Sequence, residues 1–256
     1  MLTSESFRLD GKVAIVTGSG RNIGRSLAES FATFGAKVIV NGHKDREAVD
    51  AVVKGIRDRG GEATPFMADV SSDVDVDRMV KAVVDAYGSL DIVVSNVGIR
   101  RYQPFLDISV EQWDEVIKTN LSAAFYLARH AIPHMRTKKW GRIIVVSGFD
   151  GFWAQVTHRA HNIAAKAGLH GLAKAIGREF GADGITSNTV APGAIETERD
   201  WSQYVHQTRD KILPEIPLQR FGHVDEVTGA CLFLASNAGG FVSGQVIHVN
   251  GGHYMI

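Results

Sequence analysis

Three polar side chains near the middle of the chain are spaced so that they would share one face of a helix. Lys166 follows Asn162 by four residues, and Asn162 follows His158 by four. Because an α-helix has about 3.6 residues per turn, side chains at this spacing lie one above another. Lysine and histidine can exchange protons near neutral pH in a suitable environment, whereas an asparagine amide only donates and accepts hydrogen bonds. The spacing indicates acid–base chemistry, with Lys166, His158 or the neighbouring His161 carrying the proton.

The two histidines also have a simpler interpretation, as solvated residues at the start of a helix. A metal site built from His158 and His161, or from His130 and His134, would need a third ligand that the sequence does not supply. We therefore expect no metal.

A glycine-rich turn near the amino terminus has the composition of a phosphate-binding site. It runs from Thr17 to Gly24, between an apolar β-branched run at 13–16 and a segment from Ile23 whose apolar residues recur at helical spacing. Glycine lets the backbone approach a ligand closely, and the free N–H groups of a helix start face negative charge. Strand, turn and helix start together predict a nucleotide site.

Alternating strand and helix patterns must position these groups. We predict strands at 13–16, 37–41, 63–67, 91–95, 142–147, 186–190 and 246–249. We predict helices from residue 23 and at 45–59, 73–87, 110–136, 160–180 and 225–235, with Pro133 kinking or ending the fourth. This alternation predicts one α/β domain over 1–256, a Rossmann-type, doubly wound parallel sheet with helices on both faces. The glycine turn, Asp69, Asn96, Ser147 and Pro192 would then meet beyond the carboxyl ends of the strands, where such sheets bind ligands.

The charge balance excludes several classes of partner. Lys plus Arg number 28 and Asp plus Glu number 28, so no net field attracts nucleic acid or an anionic membrane. No apolar run reaches membrane-spanning length, and we expect a soluble, cytoplasmic protein. The lone cysteine, Cys231, lies in an apolar stretch and is expected to be a core residue.

Motifs spread over the full length carry a family resemblance. They are Thr17-Gly-Ser-Gly-Arg-Asn-Ile-Gly24, Asp69-Val70, Ser95-Asn-Val-Gly98, Asn120, Ala164-Ala-Lys-Ala-Gly168, Asn188-Thr-Val-Ala-Pro-Gly193 and Phe241-Val-Ser-Gly-Gln-Val-Ile-His-Val-Asn-Gly-Gly252. On these motifs the chain resembles the short-chain dehydrogenase/reductase family, especially its 3-oxoacyl-reductase-like members. The resemblance implies a nicotinamide dinucleotide, a small-molecule substrate bound by a segment at about 193–222, and a homotetramer that uses the helices beginning near Val110 and Ala160 and the final strand and tail.

The family also implies which residues hold the dinucleotide. At the pyrophosphate and adenosine end they would be Gly18, Ser19, Arg21, Asn22, Ile23, Gly24, Asp69, Val70, Asn96 and Gly98. At the nicotinamide end they would be Lys166, Pro192, Gly193, Ile195 and Thr197. Asn22 stands where the family has the middle glycine of the turn, and asparagine tolerates positive φ well enough to replace it.

The end of the second strand bears on the choice between NAD and NADP. Members that prefer NAD carry an acid there, which binds the ribose hydroxyls and repels a 2′-phosphate. This chain has Gly42 at that position, followed by His43 and Lys44, with Arg21 across the turn. The alternative is that these basic residues are solvated surface. We expect NADP(H) to be favoured over NAD(H).

The catalytic positions depart from the family pattern. The family uses a serine to polarise the substrate carbonyl, a tyrosine to pass the proton, and a lysine four residues after the tyrosine. Lys166 and Asn120 are present, but Asn162 occupies the tyrosine position. The usual Ser-Ser appears as Ser147-Gly148, and the catalytic serine normally falls at the second place.

Three functions stay open on the sequence. The first is an NADP-linked oxidoreductase with an atypical active site, acting on a small carbonyl or alcohol. The second is a non-redox lyase or isomerase that uses Lys166 or a histidine as base. The third is a catalytically weak nucleotide-binding protein. Aromatic residues in segments that line the family's cleft point to an apolar or aromatic ligand: Tyr102, Phe149, Trp153, Trp201 and Tyr204.

Overall fold

A seven-stranded parallel sheet organises the residues that the computed structural model describes, namely 1–154, 156–198 and 208–255. The strands are β1 (Val13–Val16), β2 (Lys37–Gly42), β3 (Glu62–Met67), β4 (Ile92–Ser95), β5 (Gly141–Val146), β6 (Ile185–Pro192) and β7 (Val246–Val249). Their order in the sheet is β3-β2-β1-β4-β5-β6-β7. Strands β1 to β3 are added towards one edge of the sheet and β4 to β7 towards the other. This change of winding between β1 and β4 opens a crevice at the carboxyl edge.

Helices cover both faces of the sheet, as predicted. They are α1 (Asn22–Thr33), α2 (Arg46–Asp58), α3 (Asp73–Tyr87), α4 (Val110–Ile117), α5 (Ala123–Lys138), α6 (Ala160–Phe180), α7 (Arg209–Ile212) and α8 (Val224–Ala235). The apolar faces of α1, α2 and α8 pack on one side, and those of α3, α5 and α6 on the other. β1, β4 and β5 are buried along their whole length between these layers, which explains their continuous apolar runs. The Rossmann-type fold is confirmed.

The expected long helix at 110–136 is interrupted, and not by its proline. A π-helical turn at Lys118–Ser122 separates α4 from α5, and Asn120 lies buried within it. Pro133 lies inside α5, which continues to Lys138. Ala131, Ile132 and Met135 are buried around the proline, so packing on the sheet keeps this stretch helical.

Two other predictions change in detail. β6 extends to Pro192, two residues beyond the predicted end, because it pairs with β7 up to Val249. The segment at 193–222 is tied at its ends by a parallel bridge between Ile195 and Gly222, and it contains the short α7. Among the described residues, no helix is long and apolar enough to cross a membrane.

Candidate active site and nucleotide cleft

A cleft of about 580 Å³ lies beyond the carboxyl ends of the central strands. The residues predicted from the family motifs that line it are Gly18, Arg21, Asn22, Ile23, Gly24, Asn96, Gly98, Ser147, Asn162, Lys166, Pro192, Gly193, Ile195 and Thr197. They come from five separate stretches of sequence, which the crossovers of the sheet bring to one edge.

The glycine turn at one end of the cleft is shaped for close backbone approach. Gly18 has φ +60°, and a Cβ atom there would lie 2.8 Å from Val97 Cγ2. A Cβ at Gly24 would lie 2.2 Å from the carbonyl oxygen of Gly18. Asn22 adopts φ 51°, as its place in the turn requires, and α1 begins there. The cradle therefore fits the pyrophosphate of a dinucleotide at a helix start.

Three predicted cofactor residues support the cleft without lining it. Ser19 is fully buried; its Oγ donates to the carbonyl of Val16 and accepts from the N–H of Asn41, which closes the turn onto β2. Asp69 Oδ1 accepts from the N–H and hydroxyl of Ser71. Val70 is a core side chain. With no ligand bound, these three residues make contacts that stabilise the protein itself.

Packing explains the absence of an acid at the end of β2. A Cβ at Gly42 would lie 2.4 Å from Cγ2 of Val49, which is buried on α2. A side chain at this position would therefore require the buried Val49 side chain to move. His43 is half-exposed with Nε2 4.0 Å from Asp69 Oδ2, and Arg21 lines the cleft itself. This end of the cleft therefore combines the guanidinium of Arg21 and the imidazole of His43 with the carboxylate of Asp69.

Asn162 and Asn120 are both engaged with the loop that follows β4. Asn120 Oδ1 accepts from the N–H of Ile99 at 2.8 Å, and its Nδ2 donates to the carbonyl of Ile99 at 2.9 Å. Asn162 Nδ2 donates to the same carbonyl at 3.1 Å, and its Oδ1 accepts from the N–H of Arg101 at 3.4 Å. Asn162 is 1% exposed. Its amide therefore holds the loop, and an amide cannot pass a proton to a substrate.

Lys166 lies one helical turn further along α6 and is buried in the wall of the cleft. Its Nζ donates to the carbonyl of Val146 at 3.3 Å. Burial is the largest cause that lowers the pKa of Lys166 to about 7, and the positive charge of Arg100, which lines the same cleft, contributes in the same direction. An amine with this pKa is a competent acid and base near neutral pH.

A second turn along the same helix face brings His170 into contact with Ser147. Ser147 Oγ lies 2.9 Å from His170 Nε2, and both residues are buried. Sequence reasoning did not select His170, although its spacing of four residues after Lys166 placed it on the face of Asn162 and Lys166. It also did not find Arg159, whose guanidinium forms a buried ion pair with Asp150 at 2.7 Å.

Gly148, which is predicted to occupy the family's serine position, has open surroundings. Its φ of 169° is extended backbone that any residue adopts. A Cβ built there would have no atom within 4 Å. The site lacks a hydroxyl at this position because of the residue type, and no neighbouring atom excludes one.

The two histidines considered as proton carriers do not reach the cleft. His158 precedes α6, which begins at Ala160, and has φ 64°, so it does not share the helical face of Asn162 and Lys166. It is exposed. His161 is fully buried, its Nδ1 accepts from the N–H of Asn162, and burial lowers its pKa. Neither lines the cleft.

His130, considered above as a metal ligand, contacts two carboxylates of α3. His130 contacts Asp73 at 2.8 Å and Asp77 at 3.3 Å. No group of three or more potential ligands occurs in the part of the chain that the structure describes.

Two of the aromatic side chains predicted for the substrate end of the cleft pack beside the carboxyl-terminal tail. Phe149 and Trp153 pack against His253 of the carboxyl-terminal tail, with ring centroids 5.3 and 5.8 Å away. Tyr102 lies beneath the guanidinium of Arg159, 5.4 Å from it. Trp201 and Tyr204, also predicted for this end, are outside the described residues.

Known proteins match this chain along almost its whole length. The family model described as enoyl-(acyl carrier protein) reductase matches residues 18–254. The 3-oxoacyl-[acyl-carrier-protein] reductase of Staphylococcus aureus is 38% identical over 244 residues, which are 95% of this chain and 98% of that protein. The reductase of the same name from Escherichia coli is 37% identical over 248 residues, 96% of this chain and 99% of that one.

Two solved dehydrogenase structures also match almost the whole chain. A 7α-hydroxysteroid dehydrogenase complexed with NADH and 7-oxo glycochenodeoxycholic acid superposes with a TM-score of 0.92 at 30% identity, covering 98% of each chain. A gluconate 5-dehydrogenase from Burkholderia cenocepacia, in complex with NADP and tartrate, gives 0.90 at 32% identity, covering 97% of each.

Proposed function

The chain belongs to the short-chain dehydrogenase/reductase family of NAD(P)-dependent oxidoreductases, and we propose that it interconverts a small carbonyl and its alcohol with Lys166 as the proton-exchanging group. The observation that carries the proposal is the pairing of Asn162 and Lys166 on α6. The amide of Asn162 is committed to the loop at Ile99, while Lys166 is buried in the cleft wall with a pKa of about 7.

When bound, the dinucleotide supplies or accepts the hydride. In the direction of reduction, the Lys166 ammonium gives a proton to the substrate oxygen and becomes a neutral amine, which solvent then reprotonates. In the direction of oxidation, the neutral amine takes the hydroxyl proton. Asn162 orders the loop over the cleft, and Asn120 holds the same loop from the π-helical turn.

NADP(H) is the preferred cofactor in this proposal. The support is the packing of Val49 against Gly42, which leaves no room for the acid that would favour NAD, together with Arg21, His43 and Lys44 at the rim. Of the two dehydrogenases in the structural comparison, one was solved with NADH and the other with NADP. Because both cofactors occur among these relatives, the proposed preference for NADP(H) rests on the residues at the rim of this chain's own cleft.

The substrate proposed is a small carbonyl compound with an apolar or aromatic part. Phe149 and Trp153 support the apolar part, because their rings pack together in the segment that follows Ser147, a residue of the cleft wall. The names of the curated relatives point to 3-oxoacyl thioesters, so acetoacetyl-coenzyme A is a suitable first probe. We also propose a homotetramer, as implied by the family.

A test combines turnover with the pH dependence of Lys166. NADPH consumption is followed with acetoacetyl-coenzyme A and a panel of ketones and aldehydes, with product analysis in the presence and absence of nucleotide. Reduction should slow as pH rises through about 7, because the acidic ammonium is lost, and oxidation should quicken over the same range.

Two variants of α6 sharpen this test. Lys166→Arg keeps the charge but cannot release its proton at these pH values, so turnover and its pH dependence should both be lost. Arg178→Met removes an exposed cation about three turns away on the same helix and should change neither. Products formed without any change in the nicotinamide would instead support a lyase or isomerase. Clear nucleotide binding without turnover on any probe would support a binding protein.

A further inference from the structure

Ser147 and His170 form a hydrogen-bonded pair at the floor of the cleft that the proposed acid–base group does not use. Ser147 follows β5 and lines the cleft, and His170 lies on α6 one turn beyond Lys166. The Oγ and Nε2 atoms are 2.9 Å apart, and the two residues are 6% and 5% exposed. A buried pair of this kind persists because each polar group satisfies the other.

The surroundings of His170 keep its ring neutral. The Phe152 ring stacks on it at 4.2 Å with an interplanar angle of 19°. Burial lowers the pKa of His170 to about 4, and His248, Lys166 and Lys174 act in the same direction. A neutral imidazole carries one proton, so its Nε2 is either the donor to Ser147 or the acceptor from it.

The other contacts of Ser147 determine what each arrangement offers to a ligand. The carbonyl of Val190 already accepts the N–H of Ser147 at 2.8 Å, and it lies 3.5 Å from Ser147 Oγ. If Nε2 donates to Oγ, this distant carbonyl is the one acceptor that the described part of the chain offers to the hydroxyl hydrogen. The hydroxyl hydrogen can then point into the cleft with little loss of hydrogen bonding inside the protein. If Nε2 accepts instead, the serine offers the cleft only lone pairs, which repel a carbonyl oxygen.

We propose that His170 is a positioning residue that donates from Nε2 to Ser147, so that the Ser147 hydroxyl donates its own hydrogen to the substrate's carbonyl oxygen. This inference rests on the proposed function, because it assumes a carbonyl substrate in the cleft. The pair takes over the task of the serine that the family has one residue later, at Gly148. Ser147 is the catalytic residue, since it touches the substrate, and His170 acts through it.

The size of the effect follows from the charge that develops on the substrate oxygen. A single hydrogen-bond donor at such an oxygen typically contributes about 10²–10³ in kcat. Ser147→Ala and His170→Leu should therefore each lower kcat by about 10²-fold and leave nucleotide affinity unchanged. His170→Gln keeps a neutral side chain able to donate at this distance and should retain most of the activity.

The kinetic experiment uses acetoacetyl-coenzyme A and NADPH, in the wild-type protein and in an Asn162→Tyr background. Adding Gly148→Ser to Ser147→Ala should restore the rate, because the new hydroxyl replaces the missing one. Turnover that neither Ser147→Ala nor His170→Leu reduces would overturn the inference while leaving the proposed function intact. Equal losses for His170→Gln and His170→Leu would also overturn it.

A second measurement does not depend on turnover. In protein labelled with ¹⁵N-histidine, long-range ¹H–¹⁵N spectra report which ring nitrogen carries the proton, and His170→Gln identifies the signals. We expect the Nε2–H form, with a shift of the Nε2 signal in Ser147→Ala. The Nδ1–H form in the wild-type protein would overturn the inference even if no probe is reduced, whereas the Nε2–H form without any turnover would count against the proposed function alone.

Discussion

The side-chain amides of Asn120 and Asn162 both donate to the carbonyl oxygen of Ile99, at 2.9 and 3.1 Å. Asn120 belongs to the π-helical turn between α4 and α5, and Asn162 belongs to the first turn of α6. The two helical segments therefore meet at one peptide group of the loop after β4. Asn162, at the position predicted for the family's tyrosine, is therefore a structural link in the wall of the cleft.

Restoring the phenol should raise ordinary ketone reduction. We expect Asn162→Tyr to increase NADPH-dependent reduction of acetoacetyl-coenzyme A at least about tenfold, because a positioned acid contributes roughly 10²–10⁴ in rate. Asn162→Phe is the matched control, with the bulk and no hydroxyl. Both variants lose the bonds to Ile99 and Arg101, each worth about 1 kcal/mol, so both should unfold at lower urea concentration. An equal rate increase in the phenylalanine variant would contradict the proton-donor explanation.

Gly148→Ser should add to that gain. The new Cβ meets no atom within 4 Å and the backbone is extended, so the side chain can be accommodated without strain. We expect about tenfold more ketone reduction in the Asn162→Tyr background, because the hydroxyl stands where the family polarises the carbonyl. Gly148→Ala should give no gain. Rate constants of the single and double variants measure the coupling, and a gain from alanine equal to that from serine would count against a role for the hydroxyl.

NADPH should bind more tightly than NADH. The rim near Gly42 holds Arg21, His43 and Lys44, and a 2′-phosphate gains charge-assisted hydrogen bonds from such groups. Fluorescence titration of both nucleotides measures the preference. The double variant His43→Ala with Lys44→Ala should weaken NADPH several-fold and leave NADH unchanged. Lys54→Ala, an exposed charge removal on α2, should affect neither. Equal or tighter binding of NADH to the wild-type protein would refute the preference.

His170 should make the fold sensitive to acid. Its pKa is about 4 in the folded protein and about 6.5 when unfolded, so the unfolded chain takes up the proton first as pH falls. The stabilising contribution is therefore complete above pH 6.5 and is lost progressively as the pH falls to 4, a loss of about 3 kcal/mol. Urea unfolding between pH 7 and pH 4.5 should show a shallower decline for His170→Leu than for the wild type. Parallel declines would show that the ring is not held neutral.

The chain should assemble as a homotetramer at micromolar concentration. Val110 and Trp113 of α4 and Phe125 of α5 expose 70%, 37% and 45% of their surface, on helices implied as interfaces by the family. Met255 in the tail is also exposed. Apolar patches of this kind are typical of subunit contacts. Light scattering measures the mass, with Trp113→Glu expected to dissociate the assembly, and a monomeric wild type would refute the prediction.

The sequence by itself determined the regular elements and their order. The bounds of β1, α3, α6 and β7 agree with those predicted. The spacing of apolar residues that distinguishes a helix from a strand involves only neighbouring positions of the chain, so it can be read from the sequence. The glycine turn was equally local, since strand, turn and helix start lie side by side in the chain. From these the parallel sheet and the position of the cleft at its carboxyl edge followed.

Only the tertiary structure decided which residues the side chains at the predicted catalytic and cofactor positions contact. The bonds of Asn162 to Ile99, the contact of Ser147 with His170 and the packing of Val49 against Gly42 each join residues that belong to different elements. Such contacts have no periodic signature, because they depend on where the crossovers bring two elements together. The replacement of the family's tyrosine was therefore predicted from the sequence, whereas the contacts of Asn162 and His170 appeared only once β4, β5 and α6 were packed around the cleft.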